Sequence, residues 1–210
     1  METELGLVRK CLEIVERHGF GLGIQTKSDS VLRDADVLEA IERKTRCFVQ
    51  MTLTTFDEKI CKTVEPNVST TFERYRALKE FQKRKVPTVV WLSPLLPFIN
   101  DTDENLRGIL DYCFDADVKG IVYFGAGLTL REGNREYFYQ NLDKYFPGLK
   151  ERYQKTYGYS YEAMSPNNAK LTEILTEECE KRGVLCKVRD CFRYISELPK
   201  KNDGQISFLE

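Results

Sequence analysis

Amphipathic helical segments alternate with short apolar segments along most of this chain, and this alternation constrains the fold more than any other feature of the sequence. Segments 2–18 and 103–116 carry apolar residues at steps of three and four, which is the period of one helix face. Segments 47–54 and 88–93 are short and apolar, which is typical of buried strands. Because helix and strand recur about every 30 to 40 residues, the pattern predicts an α/β fold with a parallel sheet.

The number of predicted strands limits the architecture. About four or five strands are too few to close a standard barrel of eight. We therefore predict a partial parallel (βα) barrel over residues 1–130, a mostly helical C-terminal extension over 131–198 and a flexible tail over 199–210. The predicted strands are 20–26, 47–54, 88–93, 120–125 and 184–188, and the predicted helices are 2–18, 34–44, 70–85, 103–116, 135–145, 149–157, 168–182 and 191–198.

The first predicted helix has no strand before it, although the helix of a βα unit normally follows its own strand. Three explanations fit this start: the sheet stays open, another chain completes it, or part of the natural protein is absent from this sequence. An incomplete sheet leaves a strand edge and apolar surface exposed. We therefore expect a homodimer, or aggregation, through the exposed edge.

Charge and hydropathy exclude some classes of protein. The 210 residues include 32 basic and 33 acidic side chains, for a net charge of −1, so the basic excess of nonspecific nucleic-acid binders is missing. Segment 150–161 (KERYQKTYGYSY) fits packing against the domain or an aromatic–basic nucleic-acid surface, and nucleic-acid binding stays open. The apolar runs are too short to cross a bilayer, and residues 1–16 are charged throughout rather than signal-like. We predict a cytoplasmic protein without a membrane segment.

The cysteine pattern predicts thiols rather than a metal site. Of the seven cysteines, the last three (Cys179, Cys186 and Cys191) follow a C-x6-C-x4-C spacing, which matches no standard zinc or iron–sulfur pattern. We interpret all seven as free and mostly buried. The single histidine, His18, lies at a predicted helix end, so any triad would have to centre on it.

Polar side chains follow the predicted strands at their carboxyl ends, where both barrels and open α/β sheets place their ligands. Lys27 follows the first strand and can pair with a carboxylate or phosphate of a ligand. Gln50, Thr52 and Thr54 have the same parity and therefore share one face of the second strand. Such a polar stripe favours a ligand-facing surface over one that only packs, although an exposed sheet face would also explain it.

Two carboxylates offer a different reading of Lys27. Glu65 and Asp101 lie in loops that follow predicted strands, so either could work with Lys27 as an acid–base group in a complete small α/β enzyme. Helix capping explains Asp101 equally well. The residues alone leave these alternatives open.

Four segments together resemble the spore photoproduct lyase-like branch of the radical SAM proteins. They are 24–34 (IQTKSDSVLRD), 51–55 (MTLTT), 64–66 (VEP) and 93–101 (SPLLPFIND). The likeness extends over residues 1–130, and the later segments 133–138 (GNREYF) and 165–168 (SPNN) look like the C-terminal extension of a bacterial branch of iron–sulfur oxidoreductases. Each segment is weak alone, and the combination is specific.

The resemblance implies a site for S-adenosylmethionine at the strand ends. The lysine matches the position that contacts the methionyl carboxylate, and the neighbouring serine belongs to the same segment. Two threonines match the strand end near the ribose and methionyl part, and a proline, a leucine and a glycine match the adenine side. The implied cofactor-binding residues are Lys27, Ser28, Thr52, Thr54, Pro94, Leu95 and Gly125.

The sequence departs from this family, because it contains no C-x3-C-x2-C motif for the [4Fe–4S] cluster. The first two strands of the family and its Gly-Gly-Glu-like amine-binding loop have no counterpart in it either. The resemblance therefore implies the C-terminal part of a radical SAM enzyme, with the first strands and the cluster found only in the full-length family. We expect no cluster in this chain, weak or absent S-adenosylmethionine binding, and no catalysis by the chain alone. The alternative is a non-enzymatic half-barrel that binds a nucleotide-like ligand or pairs with another chain.

Overall fold

The structure is a computed structural model and describes residues 5–197. Its centre is a four-stranded parallel sheet in which strand order follows chain order. The strands of this sheet are β1 (Leu22–Thr26), β2 (Cys47–Thr52), β3 (Thr88–Trp91) and β4 (Gly120–Val122). Two short strands, β5 (Gly127–Thr129) and β6 (Glu162–Met164), form a separate antiparallel ribbon.

Helices connect the strands and form the C-terminal extension. A 3₁₀ helix (Asp29–Asp34) follows β1. The α-helices are α1 (Leu7–His18), α2 (Ala35–Lys44), α3 (Glu58–Val64), α4 (Thr71–Lys83), α5 (Asp103–Asp115), α6 (Asn134–Tyr145), α7 (Leu149–Tyr157), α8 (Asn168–Arg182) and α9 (Val188–Ser196). The predicted α/β fold, with a partial barrel and C-terminal helices, is confirmed.

The two faces of the sheet are covered differently. Val49 and Met51 of β2 are buried against the helical layer, because alternate residues of a strand point to one face. On the opposite face, Val89 and Val122 pack with Cys191 of α9. The last helix therefore covers part of the face that would line the inside of a complete barrel.

Several predicted boundaries need correction. The predicted strand 184–188 is wrong, because this segment contributes a single bridge from Gly120 to Leu185 beside β4. Helix α3 and the β5–β6 ribbon were not predicted. The ribbon joins residues on both sides of the predicted domain boundary at 130, and the division into two domains stays a prediction. Residues 2–4 of the first predicted helix, Leu198 of the last one and the predicted flexible tail 199–210 lie outside the described residues.

The edge of the sheet at β1 is open within residues 5–197, where β1 pairs with β2 alone. Gly23 and Gln25 of β1 are exposed. The homodimer expected from such an edge stays a prediction. Every helix in the same span is too short or too polar to cross a bilayer, and the cytoplasmic location also stays a prediction.

The packing of the cysteines predicts their reactivity. Cys11 is exposed and Cys186 half-buried, whereas the other five thiols are buried. Burial raises the pKa of Cys47 to about 12 and that of Cys191 to about 11, and the thiolate is the reactive form. We expect a disulfide reagent at about pH 8 to modify Cys11 first, Cys186 more slowly and the rest only after unfolding. Fast modification of Cys47 or Cys191 in the native protein would contradict this packing.

Candidate functional site

A cavity of about 330 Å³ lies at the carboxyl ends of the strands, beneath α6. Three of the residues predicted to bind the cofactor line it: Lys27 follows β1, Thr54 follows β2, and Pro94 follows β3 after a cis peptide bond with Ser93. The cavity is within the size range of small-molecule sites. The structure therefore brings three separate sequence segments into one place, as expected from the carboxyl ends of parallel strands.

Lys27 lines the cavity and is paired with a carboxylate. Its Nζ lies 2.5 Å from Oε1 of Glu65, and Oε2 of Glu65 lies 2.8 Å from Nη1 of Arg74. Glu65 also lines the cavity, and its side chain is mostly buried. One carboxylate thus sits between two cations, and the group carries a net charge of +1.

Arg74 is the buried anchor of this group. Its side chain is fully buried, its Nε donates to the backbone oxygen of Ser69 at 2.8 Å, and its Nη1 donates to the backbone oxygen of Thr52 at 2.9 Å. The start of α4 positions Arg74, because Thr70 and Glu73 form a capping box that fixes the first turn. Arg74 therefore connects the end of β2 to the carboxylate that holds Lys27.

Two asparagine amides fix the backbone at Thr54. Nδ2 of Asn100 donates to the oxygen of Thr54 at 3.0 Å, and Nδ2 of Asn105 donates to the same oxygen at 2.9 Å. Asn100 also donates to Oγ1 of Thr55 at 2.9 Å and accepts a hydrogen bond from the amide of Leu96. The loop after β3 is thus fastened to the end of β2.

The C-terminal extension forms the other wall of the cavity. Phe138, Leu142 and Phe146 of the α6 region line it, and they belong to an apolar cluster centred on Tyr153. Tyr153 is fully buried and its hydroxyl donates to the oxygen of Pro97 at 2.7 Å. The extension therefore packs on the loop after β3 rather than standing apart from the sheet.

The remaining predicted residues lie outside the lining of this cavity. The Ser28 side chain caps the 3₁₀ helix by accepting from the amide of Ser30, and Thr52 and Leu95 are buried. Gly125 has φ of +100°, and an added Cβ would lie 2.9 Å from Cε of Met164 and 3.0 Å from Oδ1 of Asn168. Glycine at position 125 is therefore explained by its positive φ and by the lack of space for a Cβ. Cofactor roles for these four residues stay predictions.

The polar stripe on β2 continues across the sheet. Gln50 and Thr52 lie on one face of β2, and Oε1 of Gln50 accepts a hydrogen bond from Nε1 of Trp91 at 2.8 Å. The ring of Trp91 contacts the rings of Phe124 and Phe192, both of which remain partly exposed. This aromatic surface lies on the face that α9 covers in part.

Two other sequence hypotheses concern Asp101 and segment 150–161. Asp101 is buried, accepts a hydrogen bond from Ser165 and has a pKa raised by burial, and it lies outside the described lining of the cavity that contains Lys27. An acid–base role for Asp101 stays a prediction. The helix cap predicted for Asp101 is made by Thr102. In segment 150–161, Tyr153 and Tyr157 are used in packing, while Tyr159 is almost fully exposed.

Within residues 5–197, no group of three or more histidine, cysteine or acidic side chains is arranged to hold a metal ion. The C-terminal cysteines are surrounded by packing residues: Cys179 lies in the main core and Cys191 against β4. Cys186 contacts Cys179 and Cys191 lies near both, but burial raises the pKa of all three thiols. The described residues therefore do not offer the thiolates that a [4Fe–4S] cluster needs.

Sequence reasoning missed Arg74, Asn100 and the wall formed by α6. Arg74 belongs to a helix whose charged residues suggest a solvent-facing side. The sequence feature that could have indicated a buried Arg74 is the capping pattern of Thr70 and Glu73. This pattern fixes the start of the helix and therefore which side of its first turn meets β2. The structure brings Glu65, one of the carboxylates of the acid–base alternative, into contact with Lys27, and the acid–base role itself stays a prediction.

The sheet and the helices around it have a radical SAM-like fold. A spore photoproduct lyase variant with bound AdoMet and dinucleoside spore photoproduct matches with a TM-score of 0.61 and 14% identity, over 89% of this chain and 56% of that one. SuiB of Streptococcus suis, bound to precursor peptide SuiA, matches with a TM-score of 0.51 and 10% identity, over 90% of this chain and 37% of that one. The predicted resemblance is confirmed at the level of the fold.

Proteins that are similar to this chain in sequence include two uncharacterized proteins. One from Mycobacterium tuberculosis is 27% identical over 139 residues, which is 66% of this chain and 40% of the relative. One from Acidianus two-tailed virus is 30% identical over 132 residues, which is 61% of this chain and 42% of the relative. The chain thus spans about 40% of the length of the curated relatives it matches. No family model matches it.

Proposed function

We propose that this chain forms the S-adenosylmethionine-binding side of a radical SAM barrel, with Lys27 binding the methionyl carboxylate. The observation that carries the proposal is the position of Lys27, the one cation among the described residues that line the cavity, at the carboxyl end of β1 in a radical SAM-like fold. A lysine ammonium suits this role, because it can exchange one carboxylate partner for another or contact both.

The neighbouring residues support such an exchange. Glu65 keeps its second oxygen on Arg74 when Lys27 turns to a ligand, so no buried carboxylate is left without a cation. Thr54 lines the same cavity, with its backbone oxygen held by the two asparagines, and we propose that its hydroxyl contacts a ribose or methionyl group. Bound S-adenosylmethionine would supply the 5′-deoxyadenosyl group for the chemistry of this family.

The proposal covers cofactor binding and does not include radical formation. The thiols among residues 5–197 do not fit a cluster. We propose that residues 5–197 bind and orient the cofactor, and that activity of the whole protein needs cluster ligands from elsewhere.

Titration calorimetry with S-adenosylmethionine tests the proposal directly. We expect Lys27→Ala to weaken binding by about tenfold or more, because a charge-assisted contact to the carboxylate is lost. Lys62→Ala is the matched control, since Lys62 is an exposed lysine of α3 outside the cavity lining. Equal affinities for the two variants, or no binding by the native chain, would contradict the proposal.

The alternative, a half-barrel that binds a nucleotide-like ligand or pairs with another chain, is favoured by the exposed aromatic rings beside Trp91 and by the open edge of β1. Adenosine separates the two proposals, because it lacks the methionyl carboxylate. Adenosine binding that is as tight as S-adenosylmethionine binding and unaffected by Lys27→Ala would favour the alternative. Light scattering of the pure chain tests pairing with a second copy.

A further inference from the structure

The wall of the cavity beneath α6 is uncharged apart from one ion pair. Among the described residues that line it, Lys27 and Glu65 are charged, and all the others are apolar, aromatic, amide or hydroxyl side chains. The apolar part comes from both sides, from Leu96 and Ile99 in the loop after β3 and from Phe138 and Leu142 in α6. A ligand in this space therefore meets mostly hydrocarbon and aromatic rings.

The one ion pair offers little to a charged ligand deep in the cavity. Lys27 and Arg74 share the carboxylate of Glu65, at 2.5 and 2.8 Å, and Arg74 is buried in the protein interior, so Lys27 is the cation of the described lining that a ligand can reach. In the proposed function, the cofactor carboxylate uses Lys27 at the rim. A second anion would have to enter the cavity without a cation of its own, and burying an unpaired charge is costly.

Amide and phenol groups supply the polar contacts that remain. Asn141 donates to the backbone oxygen of Tyr137 at 2.8 Å, and its amide lies at the cavity wall with that of Asn134. Tyr137 and Tyr145 line the cavity while remaining partly exposed, so they form its rim. A few neutral polar groups in an apolar pocket are typical of sites that orient an uncharged ligand.

We propose that this cavity binds an uncharged small molecule with an aromatic or branched aliphatic body. The identification of this molecule as the substrate rests on the proposed function, whereas the binding site itself rests on the cavity. Phosphate-bearing ligands, including DNA and nucleotides, are disfavoured here, because phosphates are bound by clustered cations and the cavity lining offers one paired lysine.

Two fluorescent dyes with the same aromatic body test the proposed ligand class. N-phenyl-1-naphthylamine is uncharged, and 8-anilino-1-naphthalenesulfonate carries one sulfonate on that body. We expect the uncharged dye to bind the native chain saturably at one site. In Lys27→Ala, which lacks the exchangeable cation of the lining, we expect it to bind about tenfold or more tightly than the sulfonate. Tighter binding of the sulfonate by this variant, or no saturable binding of the uncharged dye, would overturn the proposal.

Matched substitutions on α6 locate the bound dye. Asn141→Phe places a ring in the cavity and is expected to weaken the uncharged dye by about tenfold or more. Gln140→Phe makes nearly the same change at the adjacent exposed position outside the lining, and should leave the affinity unchanged. Tyr137→Ala removes a mostly exposed rim ring, so it tests the same site without a change in the core. Dye binding that is insensitive to both Asn141→Phe and Tyr137→Ala would place the dye elsewhere and overturn the proposal.

Calorimetry with S-adenosylmethionine on the same variants separates this inference from the proposed function. Asn141→Phe should weaken binding of the uncharged dye and leave cofactor binding unchanged. Lys27→Ala should weaken cofactor binding and leave binding of the uncharged dye unchanged. If the native chain binds the dye and does not bind the cofactor, the proposed function is wrong and the proposed cavity site is still supported. If the native chain binds the cofactor and does not bind the dye, the proposed cavity site is wrong and the proposed function is still supported.

Discussion

Replacing Arg74 by methionine is expected to lower the free energy of unfolding by about 3–5 kcal/mol, because one partner of a buried ion pair is removed. The change leaves the carboxylate of Glu65 mostly buried with Lys27 as its remaining cation. It also leaves the backbone oxygens of Thr52 and Ser69 without their arginine donors. Methionine keeps much of the side-chain volume, so the loss reports charge and hydrogen bonding rather than a cavity.

Urea unfolding followed by circular dichroism measures this effect. Arg76→Met is the control, because Arg76 lies two residues away on the exposed side of α4 and should change stability by less than about 0.5 kcal/mol. Adding Glu65→Gln to Arg74→Met should cost less than the sum of the single changes, since the uncompensated carboxylate is then gone. Additive losses, or equal losses for the two arginines, would show that the ion pair does not stabilise the fold.

The regular elements with long periodic patterns were predictable from the sequence. Helices α7 and α8 have the bounds that their apolar spacing predicts, and α8 ends at Gly183, whose φ of +68° is a common helix terminator. Strands β2, β3 and β4 were predicted two or three residues too long at their carboxyl ends, whereas β1 was predicted two residues too long at its start. At those carboxyl ends the chain leaves the sheet while its residue types stay apolar or β-branched.

Elements that depend on distant partners were not predictable. Helix α3 has seven residues and too few apolar positions to show a period, and it is defined by the cap that Asp57 makes. The β5–β6 ribbon has strands of three residues that are paired across α6 and α7. A pattern of three residues carries no period, so only the tertiary contact defines these strands.

The candidate site was predictable in part for the same reason. The rule that ligands lie at the carboxyl ends of parallel strands places Lys27, Thr54 and Pro94 together from the sequence alone. The burial of Arg74 and the use of Asn100 depend on which backbone groups are left unpaired where β2 ends. Those groups exist only once the sheet has formed, so residue types alone do not reveal the partners.

Asn100→Asp is expected to lower the free energy of unfolding by about 2–4 kcal/mol, since a buried donor becomes an acceptor and a charge is buried. The new carboxylate oxygen would face the backbone oxygen of Thr54, where the amide now donates at 3.0 Å. It would also lose the hydrogen bond that the amide gives to Oγ1 of Thr55. The side-chain shape is unchanged, so packing does not contribute to the loss.

Urea unfolding at two pH values tests this explanation. The deficit of Asn100→Asp should shrink as the pH falls, because a protonated carboxyl can again donate to Thr54. Asn134→Asp makes the same chemical change at the exposed first residue of α6, where the helix N-terminus favours a carboxylate. It should be neutral, or stabilising by up to about 0.5 kcal/mol near neutral pH. Equal deficits for the two variants, or a deficit at Asn100 that does not change with pH, would show that the amide does not fasten the loop to β2, and the rim of the cavity would then need another support.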